Sequence, residues 1–592
     1  MERMPLLRGA LAGCLLLISV ASTAQSDPEG LTDNNFTPTW EEAIALFDEV
    51  AESSPAIHIT VIGQTDVGRP LHAVVAGLES FSGEGLDAIR SAVADSPDRL
   101  RILVNNAIHP GEPCGVDASL AHLRELAGNP ARLQGAIWVY IPMFNVGGGL
   151  QRNCCSRANQ SGPAEYGFRG NARNLDLNRD FVKADSRNVQ AFNALLTAFD
   201  PDLFVDTHTT NGADYQATMT LITTQPDKAG PVMGPLIRGV INPFLYNDME
   251  QKGDPMVPYV NSVATVPDSG IVGFLETPRY STGYAALLGT IGFVSEAHML
   301  KPFPERVAST LRFLESIEAL GAEHGEEIRT ARDEEKARWR AAEKLPVRWA
   351  RTPQADSVYF RGFQAEFMPS GITGGERLRY NRDKPWADSI AFFDHFEPSH
   401  FATIPEAWIL PQAWHEVHDR LALAGVVFRT IPRDTVLTLN VTRITDFSAP
   451  RRPYEGHFPL TIREVKEAPE AVRLFAGDHV ILANENPVRL CAELLDPMAH
   501  DAYLVWNFFD SALQQKEYYS AYVFEDEAQT LLNSDPNLRR DFRQALRNDS
   551  ALRATPSAQI QWLYEHSNHF EGAGGVVNLY PVYKASSWPI TD

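Results

Sequence analysis

Two short apolar runs each lead directly onto a residue able to ligate a metal or move a proton, and this limits the possible folds more than any other feature of the chain. Asp202-Leu-Phe-Val-Asp206 runs on to His208, and Thr290-Ile-Gly-Phe-Val-Ser295 runs on to Glu296. Runs of this length, bounded by polar residues, read as buried strands that end at the chemistry-bearing residue. Two more precede them, Arg101-Ile-Leu-Val-Asn-Asn106 and Ala136-Ile-Trp-Val-Tyr-Ile141. Between the strands lie stretches of helical periodicity, residues 116–127 with Leu120, Leu123 and Leu126 on one side, and residues 189–199. This alternation predicts an α/β domain, a mixed and largely parallel sheet with helices on both faces. Ligands of such sheets collect beyond the carboxyl ends of the strands, where His109, His208 and Glu296 all fall.

At 592 residues the chain exceeds what one ordinary core can hold, so two or more domains are expected. Hydrophobic residues at 44% and charged residues at 21% exclude a disordered, collagenous or multi-span membrane protein. A formal charge of −23 argues against a nucleic-acid partner, which would need clustered Lys and Arg. Arg3 and Arg8 flank an apolar run from Gly9 to Ala21, and Ser22-Thr-Ala24 supplies small residues before Gln25. The run is shorter than the ~20 residues a bilayer span requires, so residues 1–24 read as an export signal and the expected location is periplasmic or extracellular. Cys14 sits in a sequence that would also pass for a lipid-attachment box, but residues 15–20 beyond it are apolar, and ordinary cleavage is the expectation. Of the remaining cysteines, Cys114 bridged to Cys154 or Cys155 and buried free thiols are both open readings.

Residues 25–330 are expected to form the α/β domain. Residues 304–345 read as a closing helix, of which 331–345 make a charged, solvated connector. From residue 346 to 592 short alternating stretches, such as 356–360 and 435–440, mix with helices such as 412–424, which predicts an α+β or β-rich accessory region with no function attached.

His109-Pro-Gly-Glu112 brings an imidazole and a carboxylate to one tight turn, and a catalytic metal wants three ligands of this kind with one open position. Alone, H-x-x-E is a weak signal. It is followed, however, by Asp176-Leu-Asn178-Arg179, then by His208, then by Glu296. In this order the residues resemble the zinc metallocarboxypeptidases, the carboxypeptidase A-like peptidases, over roughly residues 40 to 320, and the large exported bacterial members in particular. The resemblance implies one Zn2+ per chain held by His109, Glu112 and His208. Asp176 would accept from the His109 ring, and Glu296 would take a proton from the attacking water and return it to the leaving amine. Arg169 would stabilise the oxyanion, with Arg152 and Arg173 the weaker choices. Asn178 and Arg179 would clamp a substrate carboxylate. Tyr280 or Tyr284 would correspond to the family's mobile tyrosine.

The implied activity is hydrolysis of a C-terminal peptide bond, on a peptide or acyl-amino-acid substrate with a free carboxylate. A zinc amidohydrolase cutting an N-acyl amino acid or isopeptide bond is the neighbouring alternative. A catalytically silent peptide-binding protein is the alternative from another class, and Glu296 and Arg169 argue against it, since a silent protein needs neither. Glu112 and His208 are separated by 96 positions, fewer than in the digestive members, which leaves the pocket loops and side-chain specificity open. His415-Glu-Val-His418 has its histidines three apart, not four, and reads as a surface helix.

Overall fold

The structure, a computed structural model, describes residues 35–210, 212–570 and 577–588. The expected export signal and Cys14 lie outside these. Eight strands form the central sheet: β1 (Ile57–Gln64), β2 (Pro70–Ala76), β3 (Leu100–Asn105), β4 (Ala136–Ile141), β5 (Leu203–Thr210), β6 (Met219–Thr223), β7 (Val257–Pro258) and, after the short β8 (Ile271–Val272) outside the sheet, β9 (Ile291–His298). Their order is β1-β2-β4-β3-β5-β9-β6-β7. The middle four, β4-β3-β5-β9, run parallel, and β2 and β6 flank them antiparallel. The sheet is therefore mixed, with a parallel centre.

Alternation along the strands explains the layering. Ile102, Val104, Trp138, Tyr140, Leu203 and Val205 pack into one core with the helices Trp40–Ser53, Cys114–Gly128 and Phe303–Ala341. Leu103, Ile137, Val139 and Phe204, one residue out of phase, pack into a second core with Gly85–Ala94 and Arg187–Phe199 on the opposite face. Helix Cys114–Gly128 comes so close to the sheet that a Cβ on Gly115 would lie 1.9 Å from Thr207 Oγ1. A glycine there lets the metal-loop helix seat directly on β5.

Two expectations about strand and helix ends change. β5 and β9 do not stop at His208 and Glu296 but continue two residues further, because the pair remains hydrogen-bonded in register with His208 opposite Glu296 and Thr210 opposite His298. The stretch 331–345 is solvated on one side only, where Asp333, Glu334, Arg338 and Arg340 are exposed. It is the end of the single helix Phe303–Ala341, with Ala331, Arg332, Glu335 and Trp339 buried, and the start of strand Lys344–Arg351. Arg332 and Lys336 depart from the expected solvated face because they are paired internally. Arg332 donates to Asp202 at 2.8 Å and to Asp200, and Lys336 lies 3.1 Å from Asp200.

Beyond residue 346 the chain is β-rich with helices. It forms the long hairpin Asp356–Pro369/Glu376–Phe393, a second long hairpin Thr435–Ser448/Thr461–Leu474 in a six-stranded antiparallel sheet, and the helices Ala521–Ser534 to Pro556–Glu565. Its buried Trp408, Leu421, Leu490 and Trp506 belong to the same continuous core as Phe192 and Leu195 of helix Arg187–Phe199. The first hairpin also adds β8 as a parallel neighbour. Among the described residues no helix is long and apolar enough to cross a membrane.

Removing one partner from a buried ion pair leaves the other charge uncompensated. Arg332→Met is expected to lower the unfolding free energy by on the order of 3 kcal/mol, seen as a lower denaturant midpoint at unchanged slope. An unmoved midpoint would mean that Arg101, which also approaches Asp202, suffices alone.

Candidate active site

The turn His109–Glu112, which leads into helix Cys114–Gly128, and the end of β5 meet beneath a cavity of about 420 Å³. His109, Glu112 and His208 are each 3% exposed. One nitrogen of each histidine and one oxygen of the glutamate all lie within 4.8 Å of one another. His109 Nδ1 and His208 Nδ1 approach the same oxygen, Glu112 Oε2, at 3.3 and 3.0 Å. Behind them stand two aspartates: His109 Nε2 is hydrogen-bonded to Asp176 Oδ1 at 2.9 Å, and His208 Nε2 lies 3.1 Å from Asp206 Oδ2. Both rings thus present Nδ1 inward, with orientation and basicity set from behind.

This donor set fits a divalent cation. His109 Nδ1 is buried and makes no hydrogen bond among the described residues. Two imidazoles and a carboxylate facing an open cavity are the kind of donor set that a catalytic metal takes, with one coordination position left free. Without a cation, burial alone would push the His208 pKa down, but Asp206 and Glu112 override it and hold the ring well above its ordinary value. Burial would likewise raise Glu112, yet His109 and Arg157 keep its carboxyl well below the usual range.

Glu296 enters the cavity from β9, brought beside His208 by strand register. Burial, with Glu112 nearby, pushes its carboxyl up to about 7 despite the attraction of His208. Arg169 reaches the same point from the loop after the cis Gly162-Pro163 bond. It binds Asp176 Oδ2 through Nε and Nη2 at 3.0 and 2.8 Å and comes within 3.5 Å of Glu112, with its side chain 44% exposed. Asn178 and Arg179 line the cavity from the 3₁₀ turn Leu177–Arg179, which Asp176 caps by accepting the Asn178 N–H. Asn178 Oδ1 accepts the Ser281 N–H, and the Arg179 guanidinium lies 4.5 Å from the centre of the Tyr280 ring. Asp176 is thus shared between His109, Arg169 and the clamp turn. Burial would raise its pKa, but His109 and the two arginines hold it far below the usual carboxylate range.

All nine residues expected at the site are brought together. Of the two tyrosine candidates, Tyr280 lines the cavity and Tyr284 is buried in the core. Arg152 and Arg173 do not line it. Arg152 is spent on the carbonyls of Thr37, Pro38 and Glu165, and Arg173 binds the Asp185 carbonyl. Cys114 forms no bridge. It is a free buried thiol against the inner end of β5, whereas Cys154 and Cys155, exposed on a surface loop, are bonded to each other, and Cys491 is also free and buried.

Sequence reasoning missed two residues. Asp206 stands two positions before His208 on one strand, so both side chains share a face, and that alternation could have revealed it. Asn105 and Ser281 hold Asp206 in place. Arg157 binds Glu112 Oε1 at 2.9 Å from a loop 45 residues away, and nothing in its sequence context signals this.

No family model matches the chain. Among curated proteins it is similar to carboxypeptidase 2 of Trichophyton equinum, 20% identical over 508 residues, 80% of this chain and 85% of that protein. It is also similar to carboxypeptidase 2 of Trichophyton rubrum, 20% identical over 452 residues, 72% of this chain and 78% of that one. Among solved structures it overlaps a metallo-carboxypeptidase from Burkholderia cenocepacia at 15% identity and a TM-score of 0.35, covering 47% of this chain and 68% of that chain. A metallo-carboxypeptidase from Pseudomonas aeruginosa in complex with (2-guanidinoethylmercapto)succinic acid overlaps at 15% identity and a TM-score of 0.36, covering 49% and 71%. The site defines a hydrolytic metalloenzyme. The carboxypeptidase relatives, taken with the ordered motif set, support the zinc carboxypeptidase family.

Outer partners of metal-binding histidines commonly govern affinity by 10–100-fold. Asp206→Asn should weaken metal binding by roughly that factor, measured by competition with a chelator of known affinity. An unchanged affinity would remove Asp206 from the support of His208.

Proposed function

We propose that the protein is a zinc-dependent metallocarboxypeptidase that releases a C-terminal residue from a peptide, with one Zn2+ held by His109, Glu112 and His208. The observation that carries this is the convergence of that donor set, Glu296 and the Asn178–Arg179 pair on one cavity. When bound, the cation polarises the scissile carbonyl and acidifies the attacking water.

The chain's own groups do the rest. Asn178 and Arg179 receive the terminal carboxylate, the guanidinium in two-pronged fashion. This sets the last peptide bond over the site, with the final side chain toward Ser281, Thr282, Ile222 and Val294. Glu296 accepts a proton from the attacking water and returns it to the leaving amine. Arg169, held by Asp176 with its side chain 44% exposed at the cavity, is the cation placed to balance the negative charge that develops on the carbonyl oxygen.

In this reading residues 1–24 direct export to the periplasm or outside, residues 25–330 carry the chemistry, and residues 346–592 form an accessory region.

Chelation should abolish release of the terminal residue, and Zn2+ should restore it. Glu296→Gln should keep the metal and lower kcat by 10²–10⁴-fold, roughly the worth of a general base. Arg169→Ala should cost about 3 kcal/mol of transition-state stabilisation, the typical loss of one oxyanion donor. Product masses from a peptide panel decide the bond: loss of one C-terminal residue supports the proposal, and cleavage confined to N-acyl amino acids would replace it with the amidohydrolase. Normal turnover by Glu296→Gln would overturn the mechanism.

A further inference from the structure

The substrate clamp is not built by the α/β region alone. The connection of the long C-terminal hairpin Thr435–Ser448/Thr461–Leu474 folds back onto it. At its tip Tyr454 and His457 exchange two backbone hydrogen bonds, Tyr454 N–H to His457 at 2.7 Å and His457 N–H to Tyr454 at 3.1 Å. The two residues between them have positive φ, 49° at Glu455 and 80° at Gly456. That is the pattern of a type I′ turn, whose central positions favour Asn-Gly. Glycine meets the rule at the second position. Glutamate at the first does not, since a left-handed backbone disfavours an L residue with a long side chain.

The side chain supplies the reason. Glu455 Oε2 accepts the backbone N–H of Asp176 at 2.8 Å, and Asp176 is the residue that holds both His109 and Arg169. The neighbouring Tyr454 hydroxyl accepts from Arg179 Nε at 3.1 Å. Arg179 Nη1 donates to its neighbour's carbonyl, that of Asn178, at 2.7 Å, and the Tyr280 ring lies against the plane. With Nε and one N–H of Nη1 engaged and one face covered, the guanidinium has few orientations left, and Nη2 together with the second Nη1 N–H remains for a ligand.

The tip is itself anchored. His457 Nε2 lies 2.7 Å from Asp185, which Arg420 also binds at 3.2 Å, and Tyr454 stacks on the fully buried Trp506 at 6.3 Å. The other clamp loop is held from the same side. Asp501 accepts the Arg279 N–H at 3.0 Å and Arg279 Nε at 2.9 Å, immediately before Tyr280.

We propose that Tyr454 and Glu455 are positioning residues for substrate carboxylate recognition, holding Arg179 and the Asp176 turn from outside the cavity, so that the C-terminal region is a working part of the specificity site. This rests on the carboxylate clamp of the proposed function.

The test is calorimetric binding of a short peptide with a free C-terminus and of its C-terminal amide, on the full-length Glu296→Gln protein loaded with Zn2+, so that nothing is cleaved. Tyr454→Phe keeps the ring on Trp506 and removes only the hydroxyl. It should weaken the free acid by about tenfold, the scale of one hydrogen bond to a charged group, and leave the amide unchanged. Glu455→Asn suits the turn better but is too short to reach Asp176. It should leave Tm unchanged or raised while weakening the acid several-fold, a split that a merely structural role would not produce. In the otherwise wild-type enzyme both losses should fall mainly on KM.

Arg179→Ala in the same background separates the two levels of the argument. If it abolishes acid preference while Tyr454→Phe and Glu455→Asn retain it, the positioning proposal fails and the clamp stands. If acid preference survives in Arg179→Ala, the clamp fails and the positioning proposal fails with it. Equal weakening of acid and amide in the hairpin variants would also overturn the proposal.

Discussion

Glu112 is the group on which the rest of the site depends. A carboxylate with 3% exposure is tolerated only if its charge is matched and its lone pairs are filled. Here one oxygen takes Arg157, while the other takes the Thr209 N–H and faces Nδ1 of both histidines. The requirement propagates outward. Each imidazole drawn to Glu112 needs an acceptor on its far nitrogen, which brings in Asp176 and Asp206. Those carboxylates in turn draw in Arg169, Asn105 and Ser281. The result is a polar network whose outer members fix the direction of its inner ones, leaving one side open to the cavity.

The sheet makes this convergence rigid. β5 and β9 are neighbours in the parallel centre, and their register sets His208 directly against Glu296. A one-residue slip would turn one of the two to the opposite face. Register here is secured by cores on both faces, so the relation between ligand and base is held by the same packing that stabilises the domain.

The C-terminal region is bound into this arrangement and does not hang from it. Its buried residues continue the core on the face of helix Arg187–Phe199, and Asp501, Tyr454 and Glu455 take hold of the loops that carry Asp176, Arg179 and Tyr280. Loops above a parallel sheet have few partners of their own. A second layer that hydrogen-bonds their backbones provides what the strands below cannot reach.

Much of the candidate site was legible in the amino-acid order, because each member sits in a local pattern. The turn His109–Glu112, the Asp176–Arg179 run and the residues finishing two apolar strands are short-range signals, and the alternation of strand and helix defines the sheet that collects them. Asp206 was within reach of the same reasoning by its spacing from His208. Arg157, Tyr454 and Glu455 were not, since they act on partners 45, 275 and 279 residues away through loops without periodicity. The burial of Arg332 was hidden for a related reason: a salt-bridged, buried arginine and a solvated one look the same in a sequence. Local order thus determines which groups this protein can bring to a metal and a peptide bond. Only the tertiary structure decides how they are oriented, because orientation depends on hydrogen bonds between segments that chain connectivity does not relate.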